Sequence, residues 1–112
     1  MMKQFDKDLT SVHAALFLEA RQFLLASGGI NETQKVRITT YGNEGGGICH
    51  LRSMPHGIDI GFLKGAKMQD EYDLLTGKGK LLRVLSLTAW DPDLVSYYLI
   101  QALAINASSE TV

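Results

Sequence analysis

The hydrophobic period changes twice along this chain, and this change constrains the fold more than any other feature of the sequence. Between Leu9 and Leu24, apolar residues recur at i, i+3, i+4 and i+7, which is typical of one apolar helix face. From Lys35 onward, apolar and polar residues alternate with a period of two, which indicates strands. The run Asp91-Pro92-Asp93 then provides a helix start, with a capping carboxylate followed by proline at the first helical position. The order helix, strands, helix predicts an α+β domain.

The first helix is predicted over residues 6–27. Asp6 or Asp8 is expected to accept the free amide hydrogens at its start, where a carboxylate also suits the helix dipole. Gly28 and Gly29 are expected to end it, because glycine adopts the left-handed conformation of a helix C-cap without steric cost.

Four strands are predicted, over residues 35–41, 48–53, 58–63 and 81–87. Short connections between consecutive strands imply an antiparallel meander, and one face of such a sheet must be covered by the helices. The last strand has apolar residues at both odd and even positions, so both of its faces are apolar, which favours a position inside the sheet. We expect a loop or one helical turn over 64–76, and a second helix over 91–106 with a fraying polar tail. The prediction is one domain, 1–112: a two-layer sandwich whose antiparallel sheet, of about four or more strands within 35–87, packs against both terminal helices.

Composition narrows the function classes. A chain of 112 residues fits one domain that can build its own core. With 11 Lys and Arg against 12 Asp and Glu, it lacks the basic excess of nucleic-acid-binding domains, so no nucleic acid is expected as a partner. The single cysteine excludes an intrachain disulfide and suits a reducing cytoplasm. No apolar run approaches the ~20 residues of a membrane span, so we predict a cytoplasmic protein without a membrane partner.

The segments 58–66 (IDIGFLKGA) and 74–83 (LLTGKGKLLR) together resemble the pattern of the YdhG-like domain-of-unknown-function family. The resemblance extends from about Val36 to Ile105, and it implies a frataxin-like fold. Some members of that family are described as iron chaperones, so iron is the cofactor that the resemblance suggests. The chain departs from the family pattern over Tyr41–Gly45, which lacks a proline, and at Asp70-Glu71, where many members have Asp-Pro.

Basic residues around a glycine turn are the first candidate site. Glycines let backbone amides approach an anion, and lysines neutralise it, so we predict a small anionic ligand near this turn. The spacing of a phosphate-binding P-loop is absent, and solvated lysines on a tight turn are the ordinary alternative. The predicted ligand-binding residues are Lys64, Lys78, Lys80, Arg83 and Tyr41, with Lys67 nearby.

Acidic residues form the second candidate site. Hard cations such as iron prefer carboxylate oxygens, and Asp70, Glu71 and Asp73 are the densest acidic group of the chain. They are the predicted metal ligands if the chain handles iron.

Imidazole and thiol groups form the third candidate site. Cys49 and His50 are adjacent in a predicted strand and therefore point to opposite faces of the sheet. His50 and His56 could share a metal with Asp59 if the intervening turn folds back. A cysteine nucleophile at Cys49 would need an aligned histidine base.

Aromatic residues provide the last candidates. Tyr and Trp combine an apolar body with a polar tip, so they suit either a pocket or ordinary packing at the rim of the core. The residues concerned are Tyr41, Tyr72, Trp90, Tyr97 and Tyr98.

From these patterns we predict a non-catalytic binding module for a small ligand or a protein partner, without a cofactor. An intracellular iron chaperone is the alternative, and a small enzyme that uses Cys49 and His50 is a third reading. Leu18 and Leu25 lie off the apolar face of the first helix, which makes a homodimer a further expectation.

Overall fold

The computed structural model describes residues 2–108 of the chain. Its helices are α1 (Gln4–Leu9), α2 (Ala14–Ala26) and α3 (Pro92–Ser108), with a 3-10 turn at Gly65–Lys67. Its strands are β1 (Asn31–Gln34), β2 (Thr39–Asn43), β3 (Gly46–Met54), β4 (Gly57–Phe62), β5 (Leu75–Thr76) and β6 (Arg83–Leu87). All neighbouring strands pair antiparallel in one open sheet of order β1-β2-β3-β4-β6-β5. The α+β class with terminal helices is therefore confirmed. Among the described helices, none combines the length and apolar character that crossing a membrane requires.

The prediction of one N-terminal helix over 6–27 is wrong, because two helices are separated by a turn at residues 10–13. Val12 is 92% exposed in this turn, although the sequence pattern placed it on the apolar face. The turn lets α1 fold back, so that Phe5 packs edge-on against Phe17 of α2 with ring centroids 5.7 Å apart. A continuous helix would carry Phe5 away from this contact.

Asp6 and Asp8 have different roles from one another. Asp6 accepts the amide hydrogen of Lys3 at the start of α1, as predicted for a residue near a helix N-terminus. Asp8 does not cap a helix start: it lies fully buried at the end of α1 and accepts hydrogen bonds from the amide and hydroxyl of Ser53, at 3.0 and 2.6 Å. This carboxylate anchors α1 to β3.

The first strand was missed, and the strand predicted over 35–41 begins only at Thr39. Strand β1 (Asn31–Gln34) has the sequence NETQ, so it shows no apolar alternation from which a strand could be inferred. Residues 35–38 instead form a turn, closed by a hydrogen bond from the amide of Lys35 to the carbonyl of Ile38.

The centre of the sheet follows the prediction closely. Ile58, Ile60 and Phe62 of β4 are fully buried on the face that the helices cover, which we call the inner face. Strand β6 lies between β4 and β5, as its two-sided apolar pattern predicted, but it starts at Arg83, since Leu81 and Leu82 are exposed in the preceding loop. The two-residue strand β5 falls where a loop was expected.

The last helix begins as predicted. Asp91 Oδ1 accepts the amide hydrogen of Leu94 at 3.2 Å, so it caps the first turn. The helix continues beyond the predicted end at 106 as far as Ser108, and Asn106 is only 1% exposed, so fraying does not begin there. The rest of the expected tail, 109–112, lies outside the described residues.

Candidate functional site

Two separate segments bring the predicted basic residues to one end of the sheet. The amide of Ala66 donates a hydrogen bond of 2.8 Å to the carbonyl of Leu81, which joins the 3-10 turn to the loop 77–82. Gly65 makes this approach possible, because a Cβ atom there would lie 2.6 Å from the Cβ of Arg83. Exposed side chains from both segments form what we call the lysine loop surface: Lys67, Lys78, Lys80, Leu81 and Leu82.

Arg83 shapes this loop. Its Nη1 donates hydrogen bonds to the carbonyls of Gly79, at 2.6 Å, and Leu82, at 2.7 Å. The backbone of Gly77 has a φ of +131°, which a side chain would strain. The guanidinium and the glycine together hold the loop in one conformation, so Arg83 acts on the lysines through the backbone.

Lys64 does not lie among the exposed lysines but contacts α3. Its Nζ donates a hydrogen bond of 3.0 Å to Asn106 Oδ1, and Asn106 Nδ2 in turn donates to Asn43 Oδ1 and the carbonyl of Gly46. The last turn of α3 has no basic residue of its own. Lys64 therefore places a positive charge at the negative end of the helix dipole, which is stabilising.

Tyr41 lies on β2, which β3 separates from β4 and therefore from the lysine-bearing segment that follows β4. Its side chain is 1% exposed, and its hydroxyl donates a hydrogen bond of 2.8 Å to Glu32 Oε2. Burial, and then the carboxylate of Glu32, raise the pKa of Tyr41, so the hydroxyl stays protonated. Its role in the structure is to connect β2 with β1.

The acidic candidates are spread over a loop that is fixed to α3. Asp70 accepts hydrogen bonds from the Tyr98 hydroxyl at 2.5 Å and from the amides of Leu74 and Leu75 at 3.0 and 3.1 Å. Burial acts to raise the pKa of Asp70, but these hydrogen bonds outweigh it and the pKa is lowered. Glu71 and Asp73 are exposed. Within residues 2–108, no group of three or more His, Cys, Asp or Glu side chains is arranged to hold a metal ion.

The aromatic candidates pack against one another. Tyr72 and Tyr97 meet edge to face with centroids 5.1 Å apart, and Tyr97 meets Tyr98 in the same way at 4.8 Å. Trp90 packs edge-on against Phe23 of α2 at 5.4 Å. The contact of Tyr72 with Tyr97 joins the 69–74 loop to α3, and the contact of Trp90 with Phe23 joins the segment before α3 to α2.

Cys49 and His50 point to opposite faces of the sheet. Cys49 is fully buried on the inner face, where burial raises the pKa of its thiol to about 12. The ring of His50 lies over Gly61 on the other face, away from the thiol. Burial, followed by the charge of Arg52, lowers the pKa of His50.

On the same outer face, His56 and Asp59, which the sequence suggested as partners, meet a serine that it did not indicate. Asp59 Oδ1 contacts His56 Nε2 at 2.8 Å and accepts a hydrogen bond of 2.7 Å from the hydroxyl of Ser86. The carboxylate is thus placed between the histidine and the serine, so the imidazole does not contact the hydroxyl as it does in a catalytic triad. Ser86 comes from β6, and only the pairing of β4 with β6 brings it to Asp59.

A cleft beside the end of α3 was also missed. Its volume is about 580 Å³, and its lining residues are Gly29, Asn31, Asn43, Glu44, Gly45 and Ala107. The sequence pattern identified 42–47 only as a turn, and nothing in it brings the end of α3 to that turn.

Comparison of the chain with protein-family models, with curated proteins and with solved structures gives no match.

Proposed function

We propose that this protein is a non-catalytic binding module that recognises an anionic group, a phosphate or carboxylate, at the lysine loop surface. The observation that carries the proposal is the hydrogen bond between Ala66 and Leu81. It fixes two lysine-bearing segments side by side, although they are more than ten residues apart in sequence.

The chemistry of this surface supports an anionic ligand. Lys67, Lys78 and Lys80 are exposed, and ammonium groups bind phosphate or carboxylate oxygens through charge-assisted hydrogen bonds. Because Arg83 already holds the backbone of the loop, the surface needs little reordering when a ligand binds, which lowers the entropic cost.

The shape of the surface favours a macromolecular source for the anion. The lysines of this surface are exposed, and they do not line the cleft beside Ala107, the one beside Trp90 or the one beside Tyr41. Leu81 and Leu82 are exposed beside the lysines, and apolar side chains at the centre of a charged patch are typical of protein interfaces. An acidic segment of a partner would use both the charges and the leucines.

Titration followed by 15N–1H NMR tests the proposal with two probes, inorganic pyrophosphate and a glutamate-rich peptide. We expect the amide signals of Gly77 and Gly79 to shift in a saturable way. The double variant Lys78→Ala with Lys80→Ala should weaken binding about tenfold, because it removes two charge-assisted contacts. A response to the peptide alone would identify a protein partner, and a response to pyrophosphate alone a small anion.

The matched control removes the same charge elsewhere. Lys35→Ala with Arg37→Ala changes two exposed cations in the 35–38 turn, at the opposite end of the strands. Equal weakening by both double variants would show that only net charge matters, and would contradict the proposal. So would the absence of any shift with either probe.

Membership of the YdhG-like family, an iron-handling role and a homodimer stay predictions. The segments 58–66 and 74–83 support the first, and they lie side by side in the fold, since β4 pairs with β6 and the 3-10 turn bonds the loop before it. For iron, the wild type should bind ferrous iron with micromolar affinity under anaerobic conditions, and Asp70→Ala with Asp73→Ala should abolish that binding. The absence of binding by the wild type would rule out an iron-handling role.

A further inference from the structure

The cleft of about 580 Å³ lies between the turn that joins β2 to β3 and the ends of two helices. Gly29 borders it three residues after the end of α2, and Ala107 borders it from the last turn of α3. Asn31, Asn43 and Glu44 supply its polar side chains. The cleft does not include any residue of the lysine loop surface, so it is a separate feature of the molecule.

The electrostatic character of the cleft is negative. Among the lining residues within the described part of the chain, Glu44 is the charged one, and it is exposed. The C-terminal end of a helix carries about half a negative elementary charge, and neither α2 nor α3 has a basic residue in its last turn. Lys64 donates a hydrogen bond to Asn106 Oδ1 behind the wall, and its ammonium offsets part of the charge of α3.

The wall of the cleft is held in place before any ligand binds. Asn43 Oδ1 accepts hydrogen bonds from the amide of Gly45, at 2.9 Å, and from Asn106 Nδ2, at 3.0 Å. Gly45 lies so close to α3 that a Cβ there would be 2.7 Å from the carbonyl oxygen of Asn106. The turn and the helix are therefore fixed to each other, and a preformed site costs less to occupy.

Because the Oδ1 of Asn43 is used within the wall, its amide group is left to act as a donor, while Glu44 and the backbone carbonyls act as acceptors. These acceptors match a cationic group of a ligand, and the amide of Asn43 is a further donor for ligands that also carry an acceptor. We propose that this cleft binds a small molecule through an ammonium or guanidinium group placed against Glu44.

NMR titration with agmatine, which carries both cationic groups, tests the proposal. We expect saturable shifts at the amides of Gly29 and Gly45, and no comparable shifts with the neutral molecule N-butylacetamide. Glu44→Gln removes the charge at constant shape and should weaken binding about tenfold. Ala107 is at an exposed helix position, and Ala107→Leu fills the cleft without changing its charge. This variant should therefore weaken binding as well.

Glu71→Gln serves as the control, since it removes an exposed carboxylate from the distant 69–74 loop. It should leave agmatine binding unchanged. Unaltered NMR signals elsewhere in each variant establish that the fold is intact. The proposal is overturned if agmatine produces no saturable shifts, if the neutral molecule binds equally well, or if Glu44→Gln and Glu71→Gln have the same effect.

Discussion

The carboxylate of Glu32 joins α2 to the edge of the sheet, and its replacement by glutamine tests how much this connection stabilises the fold. Glu32 accepts hydrogen bonds from Arg21 Nε and Nη2 at 2.6 and 3.0 Å, from the Tyr41 hydroxyl at 2.8 Å and from Gln34 Nε2 at 3.0 Å. The side chain of Glu32 is 10% exposed and that of Arg21 is 32% exposed. A glutamine of the same size keeps one acceptor oxygen but cannot accept at its nitrogen.

The expected loss of stability follows from how deeply Glu32 and Arg21 are buried. Removing one partner of a fully buried ion pair costs about 3–5 kcal/mol, because the other charge is left unpaired. Arg21 is about one-third exposed and can regain hydration, so we expect Glu32→Gln to lower the free energy of unfolding by about 2 kcal/mol at neutral pH. Urea unfolding should show this as a lower midpoint with an unchanged slope. Glu19→Gln, on the exposed face of α2, is the matched control and should have little effect.

The pH dependence provides the sharper test. Burial acts to raise the pKa of Glu32, but the hydrogen bonds from Arg21, Gln34 and Tyr41 outweigh it, so the pKa is lowered from its usual 4.5. When the pKa of a carboxyl group is lower in the folded than in the unfolded state, the ionised group stabilises the fold at every pH above its pKa in the unfolded state. This stabilisation is lost as the pH falls through the pKa of the folded state. The stability difference between the wild type and Glu32→Gln should therefore narrow below about pH 4.5. An equal midpoint at neutral pH, or a difference that is constant down to about pH 3, would refute this reasoning.

Three further predictions concern single side chains. Gly61→Ala places a Cβ 2.1 Å from the ring of His50, so the ring should move into solvent. The pKa of His50, measured by NMR titration, should then rise toward 6.5, and an unchanged pKa would contradict this prediction. Cys49 should react with a thiol reagent only on unfolding, since its pKa is about 12 and it is fully buried, whereas rapid labelling of the folded protein would disprove the burial argument. Asp70→Asn weakens the acceptor for the amides of residues 74–75, so their hydrogen exchange should accelerate while that of β4 stays the same.

The elements that could be predicted depend on residues close together in the sequence, whereas the others depend on contacts between distant residues. The strands β3 and β4 and the start of α3 were predicted because their signals lie within a few consecutive residues: an alternating apolar pattern, or the sequence Asp91-Pro92-Asp93. The break between α1 and α2 was not, because no glycine or proline marks it and the contact of Phe5 with Phe17 decides it. Strand β1 had no apolar alternation and exists because β2 offers it a partner.

The same distinction applies to the candidate sites. The opposite orientation of Cys49 and His50 could be predicted, since successive side chains in a strand alternate between faces. The roles of Lys64 and Asp70 could not, because their partners Asn106 and Tyr98 lie 42 and 28 residues away in sequence. By itself, the sequence determined the α+β class, the central strands and the start of the last helix, which depend on neighbouring residues. Only the tertiary structure decided which charged side chains stay exposed and which bind within the fold, because hydrogen-bond partners are selected by proximity in space.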